Sequence, residues 1–179
     1  MLGGGMILTS DPRGAALLQR LRYHGRDESG RYAHLGYNCQ LSEEAAAMVS
    51  SSLDALADHE RMRREIAGAY QSGLGGITEL CLPRCHRFAT HTWHKYVLRT
   101  GRRDALRHHL KCLGIETQIH YADPLPDQPV FAGAAAERSI YPVARRTADT
   151  VLSLPIFPYM TNSEVARVVA GIVRFFAAG

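Results

Sequence analysis

Apolar residues recur at helical spacing in several stretches of this chain, with glycine and proline as punctuation between them. The clearest stripe is the last, where Val165, Val168, Val169, Ile172, Val173 and Phe176 follow Thr161 and Glu164. That T-x-x-E pair predicts a capping box, in which hydroxyl and carboxylate satisfy the free N–H groups of a first helical turn. Near the start, Asp11-Pro12 reads as an N-cap followed by proline at the first helical position. Leu17, Leu18 and Leu21 supply one apolar face there, and Gly25 is the stop. Ser42, backed by Glu43 and Glu44, caps a further run through Ala45, Met48, Val49, Leu53, Leu56, Ile66 and Tyr70 to Gly73. This run predicts one helix of about 30 residues, roughly 45 Å long, with Asp58-His59 as the place where it would break. Such a length suits a strut joining two structural units better than one wall of a small core.

Other stretches read as extended. Gly3-Gly4-Gly5 predicts a turn into a short strand over Met6–Thr9. Trp93 to Leu98 predicts a strand, Asp104 to Leu113 a helix closed by Gly114, and Ile115 to His120 a second strand. A helix is expected from Pro142 to Leu152, then an extended run from Ser153 to Pro158. Arg26–Gln40 and Ala122–Ser139 lack any period and are expected to be loops, the first carrying function or packing on something else. The fold class is therefore α/β, with a small α+β domain behind a long connecting helix. The expected organisation is 1–41, then the helix over 42–73, then the small domain over 74–179.

Composition narrows the function classes. The chain has 179 residues, 46% hydrophobic and 21% charged, with 21 Lys+Arg against 17 Asp+Glu for a net +4. That balance excludes a disordered, collagenous or disulfide-scaffold protein. No apolar run approaches the roughly 18 to 20 residues that cross a bilayer, and the opening residues lack a signal peptide's charged flank. The expectation is a soluble, cytoplasmic protein with no membrane association. The arginines fall in scattered doublets, such as Arg63-Arg64, Arg102-Arg103 and Arg145-Arg146, so no nucleic-acid surface is expected.

Candidate chemistry is sparse. The triple glycine lacks both G-x-G-x-x-G spacing and a G-K-[ST] ending, so a plain turn is favoured over a phosphate loop. Cys81 and Cys85, with His86, His91 and His94, offer zinc-type ligands, but without a clean H-x₃₋₅-H after a helix and with Leu82-Pro83 inside the cysteine pair. Buried or half-buried free thiols are the favoured alternative, and all 4 cysteines are expected to be reduced. No nucleophile elbow occurs. His120-Tyr121, at a predicted strand end, would set an imidazole and a phenol at the lip of a cleft, against the alternative of a satisfied strand-end histidine.

Several segments in order nevertheless carry a pattern. They are G-G-M-I-L-T-S-D (Gly4 to Asp11), L-R-Y-H-G-R-D (Leu21 to Asp27), H-L-G-Y-N-x-x-L-S-E-x-x-A-A (His34 to Ala47) and T-W-H-K-Y-V-L-R (Thr92 to Arg99). L-G-I-E-T-Q-I-H-Y (Leu113 to Tyr121), D-Q-P-V-F (Asp127 to Phe131) and Y-P-V-A-x-x-T-A-D-x-V-L-S-L-P-I-F-P (Tyr141 to Pro158) complete it. Together they resemble the DegT/DnrJ-type nucleotide-sugar aminotransferases, a branch of the fold-type-I pyridoxal-phosphate enzymes. The resemblance spans the whole chain but only about the C-terminal half of a typical family member.

The resemblance implies pyridoxal 5'-phosphate as cofactor and transfer of an amino group, from glutamate or glutamine, to a nucleotide-linked keto-sugar or a keto-cyclitol. It implies that Asn38 reaches across a dimer interface to the cofactor phosphate, and that His120, Tyr121 and Gln40 contact substrate. In the family, an aromatic and then a basic residue often follow the asparagine, where this chain has Cys39-Gln40, and a histidine is common where it has Pro126. The Schiff-base lysine of the family lies just upstream of the G-G-M-I-L-T segment. Of the lysines here, neither Lys95 nor Lys111 occupies that motif. Residues 1–41 then correspond to a remnant of the large cofactor-binding domain. The expectation is a truncated or split half, inactive alone, with an exposed apolar patch, that pairs as a homodimer or with a complementing subunit. A non-catalytic pseudoenzyme pairing with a full-length aminotransferase is the alternative, and a zinc module the third reading.

Overall fold

Asp11, Ser42 and Thr161 each head a helix, as their side chains require. Asp11 accepts from Arg13 N and Gly14 N at the start of α1 (Pro12–Arg22), and Ser42 accepts from Ala45 N at the start of α2 (Glu43–Asp54). The remaining elements of this computed structural model are α3 (Leu56–Leu74), β1 (Tyr96–Arg99), α4 (Arg103–Cys112), α5 (Pro142–Thr150), β2 (Val151–Leu154) and α6 (Asn162–Ala177). The structure describes residues 5–134 and 141–178. Thr161 and Glu164 form the reciprocal capping box at the head of α6. The chain divides into two compact units, Met1–Leu56 and Ala57–Gly179.

In the first unit, α1 ends at Tyr23 and the chain turns back on itself. His24 N donates to Tyr37 O, Tyr37 N to Leu21 O and Cys39 N to Arg22 O, which lays residues 37–39 along the end of the helix. Gly25, at φ +75°, and Gly36 meet backbone to backbone: a Cβ on Gly25 would run into the His34 carbonyl, and one on Gly36 into Gly25 N. Only glycine fits this approach. The expected strand over Met6–Thr9 does not form, because it has no neighbouring strand to pair with among the described residues. Met6, Ile7 and Leu8 are exposed, as are Met48, Val49 and Leu53 along α2.

The single long helix expected from Ser42 to Gly73 is two helices, divided at Ala55 rather than at Asp58-His59. Ser50, Ser51 and Ser52 lie in the preceding turn, and Ser52 Oγ donates to Met48 O at 2.8 Å. Serines of this kind compete with the helical ladder and weaken it.

The second unit is built on an antiparallel ladder in which Tyr96 pairs with Leu154, Val97 with Ser153, Leu98 with Leu152 and Arg99 with Val151. Its core joins Tyr70 and Leu74 of α3, Leu106 and Leu110 of α4, and Val168 and Ile172 of α6 to Tyr96, Leu98, Leu152 and Leu154. Tyr70 donates its phenolic hydrogen to Pro155 O at 2.7 Å and meets Tyr96 edge-on, with ring centroids 5.0 Å apart. Burial pushes the Tyr96 phenol up to about 12, and it raises Tyr70 as well, helped by Tyr96. Both stay neutral through the physiological range.

Several expectations shift here. The strand near Trp93 begins only at Tyr96, since Trp93 sits at φ +52°. The helix from Pro142 stops at Thr150, because Val151–Leu154 gains more by pairing with β1 and burying both leucines than by another helical turn. The stretch Ile115–His120 makes a single bridging pair, Gln118 with Ser153, instead of a full strand. The expected loop from Ala122 contains two 3₁₀ turns, Leu125–Asp127 and Pro129–Ala134; its residues 135–139 and the turn at Gly3-Gly4 lie outside the described residues. Cys39, Cys81, Cys85 and Cys112 are free and exposed, so Cys81 and Cys85 are not the buried or half-buried thiols expected. Among the described residues no helix is long and apolar enough to cross a membrane.

Two stability effects follow. Leu110→Ala, at a fully buried position, is expected to cost about 2 to 5 kcal/mol in urea unfolding. Thr161→Ala, which removes the cap of α6, is expected to cost roughly 1 kcal/mol in the same assay.

Candidate functional site

Asn38 is presented by the turn-back of the first unit. Its backbone bridges Tyr23, and its Oδ1 accepts from Gln40 Nε2 at 3.2 Å. The Asn38 Nδ2 donors make no hydrogen bond among the described residues, so a preset pair of neutral amide donors faces outward. Upstream, Asp27 accepts from Ser29 and from Arg31 N, which folds the tip of the loop and draws its carboxyl below the usual range. Arg26 lies over the Tyr32 ring at 5.2 Å. The loop expected over Arg26–Gln40 is thus ordered by its own polar contacts.

In the second unit the ladder decides what its other face carries. Side chains alternate along a strand, so burying Tyr96, Leu98, Leu152 and Leu154 on the core side sends Lys95, Val97 and Ser153 to the opposite side. His120 joins that side through Nδ1, which lies 2.9 Å from Ser153 Oγ. With its Nδ1 engaged, His120 has Nε2 without a hydrogen bond among the described residues. The His120 pKa is lowered from its ordinary value first by burial, then by the nearby positive charge of Lys95 and His94.

His120 and Tyr121, joined by a cis peptide with their rings edge to face at 5.8 Å, line a cavity of about 900 Å³. Leu125, Pro126, Tyr141 and Val151 complete much of its wall. Asp127 pairs with Arg145 in a two-pronged ion pair, Nε to Oδ2 at 2.8 Å and Nη2 to Oδ1, which pins the Leu125–Asp127 turn to α5. That pairing raises the Arg145 pKa.

Asn38 and Gln40 are therefore brought together in one unit, and His120 and Tyr121 in the other. Pro126 stands in the cavity wall. Lys95 Nζ lies 3.2 Å from His94 Nε2, and Lys111 is in the last turn of α4. Among the described residues no group of three or more His, Cys, Asp or Glu could hold a metal ion; Cys81 Sγ instead accepts from Arg99 Nη2 at 3.1 Å, and Cys85 faces Ala89 O.

Sequence reasoning missed Arg63. It donates through Nη1 to Ile156 O at 2.8 Å and reaches the carbonyls of Trp93 and His94 at 3.4 and 3.5 Å. The available signal was a charged residue in step with Ile66, Ala67, Tyr70 and Leu74 on the buried stripe of α3.

Comparison with known proteins gives a consistent picture. The model of the DegT/DnrJ/EryC1/StrS aminotransferase family matches residues 1–173. The erythromycin biosynthesis sensory transduction protein EryC1 of Saccharopolyspora erythraea is 35% identical over 167 residues, covering 93% of this chain and 46% of that protein. The dTDP-3-amino-3,4,6-trideoxy-alpha-D-glucose transaminase of Streptomyces venezuelae is 36% identical over 169 residues, covering 94% of this chain and 45% of the relative. The crystal structure of S. venezuelae DesV in complex with a ketimine intermediate superposes with a TM-score of 0.90 at 34% identity, over 94% of this chain and 46% of that one. The chain spans about half the length of the curated relatives it matches. The fold-type-I sugar-aminotransferase fold expected from the sequence is shown by these structural likenesses.

The His120 environment sets a pH dependence. Its folded pKa lies below the ordinary histidine value of 6.5, so the unfolded chain binds more protons around that pH and stability falls as pH drops through the folded pKa. Above 6.5 this contribution is fully present. Histidine NMR is expected to show a His120 midpoint below 6.5, and His120→Gln to reduce the loss of stability on acidification.

Proposed function

Because this chain belongs to the DegT/DnrJ/EryC1/StrS aminotransferase family, we propose that it supplies the phosphate-contacting loop and the substrate-facing sheet of a nucleotide-sugar transaminase. The reaction is transfer of an amino group, from glutamate or glutamine, to a keto-sugar carried by a nucleotide or to a keto-cyclitol. Pyridoxal phosphate, when bound, supplies the electron sink for that transfer. Relatives named as transaminases of dTDP- and UDP-linked sugars support this substrate class.

The observation that carries the reading is the outward pair of Asn38 amide donors on a backbone locked by Gly25 and Gly36. A neutral donor on a backbone bridge tied to Tyr23 holds a phosphate oxygen without a competing charge, and we assign it to the cofactor phosphate of a partner subunit. Gln40, oriented by its bond to Asn38, contacts the substrate beside it. His120 and Tyr121 face the keto-sugar across their cavity, with His120 Nε2 and the Tyr121 hydroxyl as its polar contacts.

Lys95 is held in a basic cluster and Lys111 on the surface of α4, so neither serves as the cofactor's covalent anchor and proton carrier. The 179-residue chain is therefore inactive by itself and acts with a lysine supplied from beyond this sequence, upstream or on a second chain. The exposed apolar face of α2, with Met48, Val49 and Leu53, supports a homodimer or a complementing subunit. The alternative, a non-catalytic module paired with a full-length aminotransferase, draws on Cys39 and Pro126 standing where the family has other residues.

The test is reconstitution. The chain is mixed with cofactor, glutamate, a dTDP-linked keto-sugar and, in turn, a lysine-bearing N-terminal half of a family member. Amino-sugar product is expected only in the complemented mixture, and Asn38→Ala is expected to weaken retention of the cofactor in the complex about tenfold. Product from the chain alone refutes the inactivity, and co-purification with an intact aminotransferase without product in any mixture selects the alternative.

A further inference from the structure

The core face of α4 settles what its outer face carries. Leu106 and Leu110 are fully buried, which leaves His108 and Cys112, at i and i+4 on the helix, side by side and exposed to solvent. Cys112 Sγ lies 3.6 Å from His108 Nε2. Among the described residues it is the one thiol with an imidazole nitrogen so placed, since Cys81 accepts from Arg99 and Cys85 faces the carbonyls of His86 and Ala89.

Thiolate sulfur and imidazole nitrogen are the ligands that zinc takes most readily. Bonds of about 2.3 Å to sulfur and about 2.05 Å to nitrogen, opened at roughly the tetrahedral angle, put the two ligand atoms about 3.6 Å apart. The side chains therefore already stand at the separation one ion needs, and closing on it costs little further rotamer freedom. The helix that fixes their spacing is itself clamped to the core through Leu106 and Leu110. Cys112 is also the last residue of α4, where the helix presents the negative end of its dipole to a cation. Arg107 and Lys111, one residue before each ligand, oppose a dication, but both are exposed, so solvent and salt weaken the repulsion, and neither side chain offers an acceptor lone pair. Asp104, one turn before His108, is paired with Arg103 Nε at 2.6 Å, and no third ligand joins the pair among the described residues.

We propose that His108 and Cys112 bind a zinc ion on the outer face of α4, with water in its remaining positions. The Cys112 sulfur gives up its proton to solvent as the zinc–sulfur bond forms, and His108 coordinates through Nε2 while Nδ1 keeps the ring proton. With two protein ligands the site is open: it holds its metal less tightly than a closed four-ligand centre, and it can accept a further small donor in place of water. Zinc binding needs neither cofactor nor turnover, so it stands or falls without the transaminase reading.

The test follows the ring signals of the nitrogen-labelled histidines in the full 179-residue chain, kept reduced by a phosphine, as zinc chloride is added. The His108 signals are identified by their loss in His108→Gln. Magnesium chloride at matched concentration is the control, because magnesium seeks oxygen ligands and leaves sulfur and imidazole alone. The expected result is a saturable shift of His108 with zinc and none with magnesium, larger at Nε2 than at Nδ1. Cys112→Ser is expected to lose that saturable shift, Cys112→His to restore it by keeping two ligands at the same helical spacing, and Cys81→Ser to leave it unchanged. Should Cys112→Ser fail to fold, by circular dichroism, Cys112→Ala takes its place. An unmoved His108 overturns the site, as does a zinc shift confined to other histidines or an undiminished His108 shift once the Cys112 sulfur is gone.

Discussion

The ladder between Tyr96–Arg99 and Val151–Leu154 is the constraint on which the second unit depends. Four residues per strand are too few to stand alone, so the pair exists only because Tyr96, Leu98, Leu152 and Leu154 are buried under α3, α4 and α6. Alternation then leaves no choice about the other face. A one-residue slip would turn Lys95 and Ser153 into the core and expose Tyr96 and Leu154, at a cost of several buried side chains. Hydrophobic burial on one side therefore fixes the position of the charged and hydrogen-bonding groups on the other.

Within that frame, what the sequence disclosed depended on how local the cause was. The caps at Asp11, Ser42 and Thr161 and the stop at Gly114 are written within three or four residues, and each was legible. The break at Ala55 was not, because it comes from the summed weakness of Ser50 to Ser52 rather than from one breaker. By sequence, Val151 and Leu152 fall in the helix expected from Pro142 to Leu152. Pairing with β1, more than fifty residues away, overrides it. The same holds for the site. His120 and Tyr121 were visible as a strand-end pair and Asn38 through its surrounding motif, whereas Arg63 gains meaning only where three distant carbonyls converge on it.

The chain's two units place its recognisable chemistry in separate hands. The first carries a neutral donor, Asn38, on a backbone turn that hydrogen bonds hold in place. The second carries an imidazole and a phenol beside a cavity whose wall is braced by Asp127 and Arg145. A neutral amide needs only placement, while an imidazole needs an environment that tunes its charge.

The meeting of Gly25 and Gly36 has a consequence for how this chain can change over time. At most crowded positions a new side chain can be accommodated by trimming a neighbour, so a second substitution rescues the first. Here the obstacle at each glycine is main chain, which no substitution can shorten. The two positions are thus closed to compensation, and variation around Asn38 is channelled into the exposed intervening residues, Glu28 to Ala33.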